Sequence, residues 1–215
     1  MPKGLYSHRD PHDGTLLGYE RFSCAPGPSG WRYAAQLLGP DLVTATGSVD
    51  LTVDRSWRPI RVEVRGGGWS VRGGVTGPHV VWVRADPAGG EAVEGSARAV
   101  SFTGRSPAFA VVTARLLRLT PGATVRVRLV ALTEPVLAPR TVDEGWGLTE
   151  VVPHQTPTVP LPVERYEVAD LSTGDRRVVH LAGDLVLAAP GVELEELDGP
   201  PWLELREAHG REEPE

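Results

Sequence analysis

Two stretches of this chain repeat the same order of strand, turn, strand, glycine and strand, and that repetition constrains the fold most. In the first, Val49, Leu51 and Val53 alternate with Asp50, Thr52 and Asp54. After a turn at Arg55-Ser56-Trp57, Ile60, Val62 and Val64 alternate with Arg61, Glu63 and Arg65, and Gly66-Gly67-Gly68 leads to Trp69 and Val71. In the second, residues 163–168 precede a turn at Ser172-Thr173-Gly174-Asp175. Residues 177–181, Gly183 and residues 185–188 complete it. A period of two gives each strand one buried face. Two such meanders predict a large, strongly curved antiparallel sheet built by duplication and enclosing an interior.

Between the copies lies one convincing helix. Ser106 suits the N-cap and Pro107 the first helical position, where a missing N–H costs nothing. Phe109, Val112, Leu116 and Leu119 share one face, and Pro121-Gly122 ends the pattern. Val125, Val127, Leu129 and Ala131 resume a half-buried strand. Residues 192–197 suit a last strand or a short helix. In all, the alternation predicts about ten or eleven strands in a mainly β fold, an unclosed or half barrel over one main helix. Residues 1–14 are expected as a flexible lead-in, 15–198 as a single β domain, and 199–215 as a disordered acidic tail.

Composition excludes several functions. The formal net charge of −6 and the lack of a basic run leave no electrostatic footprint for nucleic acid. No apolar run reaches the roughly 20 residues that cross a bilayer as a helix, so no transmembrane segment is expected. One cysteine, Cys24, cannot form an internal disulfide, and residues 1–14 lack the apolar core of a secretory leader. Both point to the cytoplasm. Lys3 is the one lysine among 22 basic residues, a bias expected of a GC-rich bacterial genome such as an actinobacterium's.

Few residues suggest catalysis. Gly104-Arg105-Ser106-Pro107-Ala108 has the strand-to-helix setting of a nucleophile elbow, with Asp143 or Asp170 and then His180 in hydrolase order. Pro107, however, has no N–H to offer an oxyanion, so Ser106 reads as a helix cap. His8 and His12 straddle Pro11 and suit no helical metal pair, and His154 and His180 stand apart. Asp143-Glu144 and Glu195-Glu196 are adjacent, so each pair splits across a strand. No phosphate loop follows Gly66-Gly67-Gly68. No metal, cofactor or catalytic residue is assigned. Six tryptophans remain. Among them Trp31, Trp69, Trp82 and Trp146 fall in or beside strands, where a broad ring with one N–H suits either core packing or a pocket wall.

Several segments resemble a known family. Gly18-Tyr19-Glu20-Arg21-Phe22, Gly30-Trp31-Arg32-Tyr33, Asp54-Arg55-Ser56-Trp57-Arg58, Thr156-Pro157-Thr158 and Leu161-Pro162-Val163-Glu164-Arg165-Tyr166 are similar to the bacterial glycolipid-binding proteins, grouped with lipoprotein carriers of the LolA and LppX type. The resemblance implies an unclosed antiparallel barrel wrapped over helix, with an apolar cavity for acyl chains. On that basis the expected function is non-enzymatic binding of a lipid, glycolipid or other amphiphile. Phe109, Val112 and Leu116 would form the cavity floor, Trp69, Trp82 and Trp146 its walls, and His79, Arg105 and His154 the head-group contacts. The alternatives are a hydrolase or isomerase using His154 or His180 with a carboxylate, and an interaction module that forms a homodimer through a sheet edge.

Overall fold

The computed structural model describes residues 1–28, 30–86, 88, 90, 92–157 and 159–203. Ahead of the helix come β1 (Lys3–Arg9), β2 (Leu16–Gly27), β3 (Gly30–Leu38), β4 (Ala45–Asp54), β5 (Pro59–Gly66), β6 (Trp69–Thr76), β7 (His79–Ala85), β8 (Ala92–Arg98) and the short β9 (Ser101–Thr103). Helix α1 (Pro107–Leu117) follows. Then come β10 (Thr124–Thr133), β11 (Ala138–His154), β12 (Leu161–Asp170), β13 (Arg176–Ala182), β14 (Leu185–Ala189) and β15 (Val192–Asp198).

The fifteen strands of the described residues form one sheet, in the order β8-β7-β6-β5-β4-β3-β2-β1-β15-β14-β13-β12-β11-β10-β9. Pairing is antiparallel except between β9 and β10, which α1 connects as a crossover. The first and last strands pair with each other, Lys3 opposite Asp198, so the free edges are β8 and β9 in mid-chain. Laid flat at about 4.8 Å per step, such a sheet would span roughly 65 Å. Yet Arg84 of β7 donates from Nε to the Val136 carbonyl beyond β10, at 2.8 Å. A Cβ on Gly73 of β6 would fall 2.8 Å from Phe102 Cζ of β9. The sheet is therefore strongly curved and unclosed.

Both predicted meanders are present. In β4-β5-β6, Val49 faces Val64 and Leu51 faces Val62; in β12-β13-β14, Glu164 faces Leu181 and Tyr166 faces Val179. Among the described residues the strands number fifteen, above the expected ten or eleven, because a short strand such as β1 carries little alternation. Residues 3–9 are not a flexible lead-in. They form β1, which pairs with β15 on one side and β2 on the other, and Leu5, Tyr6, Ser7 and His8 are all buried. Residues 192–198 settle as strand. Of the expected tail, Trp202 donates its backbone N–H to Asp184 Oδ1 at 2.8 Å; residues 204–215 lie outside the described ones.

Helix α1 starts as its sequence predicts. Ser106 is extended (φ −63°, ψ 134°), its Oγ accepts the Ala108 N–H at 3.4 Å, and Pro107 opens the first turn. It ends before Pro121-Gly122, at Arg118 in the left-handed region (φ 50°), whose N–H bonds the Ala114 carbonyl. Phe109, Val111 and Val112 share one core with Val62 of β5 and Leu129 of β10. A ladder of rings crosses β1, β2 and β3: Tyr6 on Phe22 at 4.7 Å, Phe22 on Tyr33 at 5.6 Å, then Trp31 and Trp57. Such pairs add about 0.5–1.5 kcal/mol each beyond their burial.

Candidate functional site

The alternation of β2 turns Gly18, Glu20, Phe22 and Cys24 inward together. Glu20 is thereby the one carboxylate in an otherwise apolar row, and it is fully buried. Removed from water, it must take its hydrogen bonds from protein. Three side chains supply them. His8 Nε2 lies 3.0 Å from Oε2, while the Tyr33 hydroxyl at 2.7 Å and the Ser106 hydroxyl at 2.6 Å both donate to Oε1. Burial, and then the charge of Glu20, pushes the Tyr33 phenol well above its ordinary value, which keeps it a donor. Ser106 is fixed by its helix-capping role, so the start of α1 is tied to β2.

Two cavities meet at this cluster. The smaller, about 130 Å³, lies between strands β2 to β5 and the segments 104–109 and 132–137; Val49, Val64, Phe109, Leu132 and Leu137 give it apolar walls. The larger, about 320 Å³, extends toward Ala110, Trp146, Val179 and Val186. They share His8, Leu17, Gly104, Arg105 and Ser106 as a common wall. Arg105 pairs with Glu134 at 3.0 Å, both side chains partly exposed.

The expected site residues divide. Phe109 and Arg105 line the smaller cavity, and Arg105 and Trp146 the larger. Trp146 is buried and donates its indole N–H to Glu144 Oε2 at 2.7 Å. Val112 is fully buried core. Leu116 lines a separate, more open depression of about 680 Å³ with Arg58, Val75 and Leu117. Trp69 lies under the Arg84 guanidinium, 3.5 Å from the ring centroid, and Trp82 packs beside Gly95. His79 and His154 are exposed. None of Val112, Leu116, Trp69, Trp82, His79 and His154 borders the two cavities at Glu20. The sequence offers Glu20 and Tyr33 only within the family-like segments and His8 only beside His12 as an unsuitable metal pair, so none of the three stands out as a site residue. The parity of β2 was the available signal, since Glu20 shares its face with Phe22 and Cys24.

Other buried carboxylates are neutralised or capped. Arg115 of α1 meets Glu164 at 2.5 Å and grips the Gly183 carbonyl; Arg177 meets Glu144 at 2.7 Å. Asp184 accepts from Trp31 Nε1 at 2.9 Å and Cys24 Sγ at 3.4 Å, and burial, then Asp184, drives the Cys24 thiol upward. Among the described residues, His154 and His180 make no hydrogen bond or ion pair with a carboxylate, and no cluster suits a metal ion. No described helix is long and apolar enough to cross a membrane.

Fold and site together define a mainly β protein whose open, curved sheet encloses small cavities beside a buried polar cluster. The chain is similar to the crystal structure of a DUF1089 family protein from Pseudomonas aeruginosa, with a TM-score of 0.53 over 80% of this chain and 89% of that one. At 18% identity the likeness is one of fold. No protein-family model matches the chain, and no curated protein does.

Proposed function

We propose that this chain is a non-enzymatic binding protein for a lipid, glycolipid or similar amphiphile, held where the curved sheet wraps over α1. The observation that supports it is the pair of adjoining cavities, apolar at Val49, Val64, Phe109, Leu132 and Leu137 and polar at the wall they share. Together they reach the lower end of the 300–1,000 Å³ typical of small-molecule sites. That space suits one short acyl chain. Each methylene buried there contributes about 0.8 kcal/mol, and the polar wall meets the head group. The resemblance in sequence to glycolipid-binding proteins points the same way.

Native mass spectrometry of protein purified from its own host, followed by solvent extraction, tests this reading. A co-purifying amphiphile is expected, lost on Val64→Phe, which fills the smaller cavity. Protein free of any adduct, and unresponsive to added fatty alcohols or monoacylglycerols, contradicts it.

A further inference from the structure

We infer that His8 is the head-group anchor of this cavity pair, with its Nδ1 atom hydrogen-bonding an uncharged polar group of the bound amphiphile. This rests on the binding function proposed above. The His8 side chain is only 4% exposed, and its Nε2 is committed to Glu20. Its Nδ1 is buried and has no partner. Among the described residues the other such side-chain atoms belong to Ser7, Asp50, Ser101 and Thr113, and none of these residues borders either cavity; His8 borders both. A buried polar atom without a partner is costly unless something supplies one. A ligand in the adjoining space supplies it.

The ring cannot turn away to satisfy itself. Glu20 holds Nε2, and Tyr33 and Ser106 hold Glu20. Those three are positioning residues; His8 makes the contact.

Charge around the site selects the head group. Glu20 lies directly behind the imidazole, so an anionic head would face its field at close range and with little screening. The cations bordering the cavities are occupied: Arg105 by Glu134, Arg177 by Glu144, while Arg9 is exposed and donates to the Gly14 carbonyl. A hydroxyl fits this wall in either protonation state of the ring, because it accepts from an N–H and donates to a bare nitrogen.

Isothermal titration of the full chain with 1-decanol and with decanoate tests the inference. Wild type is expected to bind decanol at least about tenfold more tightly, the scale of one hydrogen bond. His8→Gln retains a donor near Nε2 for Glu20 and lacks Nδ1, so decanol affinity should fall about tenfold with circular dichroism unchanged. Equal affinity for the two probes, or His8→Gln matching wild type, overturns the inference and leaves the binding function standing. Wild type that binds neither probe contradicts the binding function itself. Should His8→Gln fail to fold, ¹⁵N imidazole spectra of wild type decide. Decanol should move the His8 Nδ1 resonance more than Nε2, and an unmoved Nδ1 overturns the inference.

Discussion

Glu20 in the first half of the sheet and Glu164 in the second are both buried carboxylates on inward-facing strand positions, yet they are held in opposite ways. Glu164 meets a permanent cation, Arg115 of α1, at 2.5 Å, and the same guanidinium binds the Gly183 carbonyl. Glu20 meets two hydroxyls and an imidazole. The second-half cluster has no cavity of the pair beside it; the first-half cluster borders both. An arginine saturates a carboxylate and locks helix to sheet. A histidine leaves a second ring nitrogen over, and that spare capacity is what a binding site needs.

The largest effect expected from this contrast comes from Arg115→Met. It removes the cation facing buried Glu164, leaving the Tyr166 hydroxyl at 3.3 Å, and should cost about 3–5 kcal/mol in urea unfolding; a loss under about 1 kcal/mol would show that the pair does not lock the helix. Next, Tyr33→Phe removes one of three donors to Glu20 and should cost about 1–3 kcal/mol. If it costs as much as Arg115→Met, the two clusters are equally structural and the contrast fails. Arg32→Ala breaks the exposed contact to Asp50 and should change stability by about 0–1 kcal/mol, setting the floor of the scale.

The smallest effect is electrostatic and extends the contrast to the surface. Asp41, in the first half, is lowered to about 2 by the Thr44 hydroxyl and the Thr44 and Val43 amides. Asp143, in the second, is held far below the usual carboxylate range by hydrogen bonds from Arg128 and Arg126. Both folded pKa values lie below the unfolded value of about 3.9, so both stabilise above that pH and lose the contribution as pH falls through the folded value. Added salt should raise the pKa of Asp143 toward normal and leave Asp41 nearly unmoved. Carbon-13 carboxyl titrations at low and high salt check this; equal shifts would erase the distinction.

Much of the fold was legible because it rests on local rules. The period-two runs at residues 49–53 and 60–64 became β4 and β5, and Ser106-Pro107 opened α1. Strand β1 was not legible, because Leu5, Tyr6, Ser7 and His8 are buried in succession and no alternation survives. The site was half legible. Phe109 and Trp146 reach the cavities from α1 and β11, and Arg105 from the bend just ahead of α1, where the helix-start signal at Ser106-Pro107 marked the place. Trp69 and Trp82 do not, because ring size alone says nothing about where a curved sheet brings strands together. His8 and Glu20 are twelve residues apart and meet only through the pairing of β1 with β2. A histidine ahead of Pro11 gave no local sign of that partner.

The most direct test of the central claim is a map of backbone amide shifts as an uncharged amphiphile such as 1-decanol is titrated in. The account predicts saturable changes concentrated at Leu17, Gly66, Gly67, Gly104, Ser106 and Leu132, with residues around Arg115 and Glu164 quiet. Shifts confined to the outer face of β4 and β5, or no saturable shifts, would contradict it.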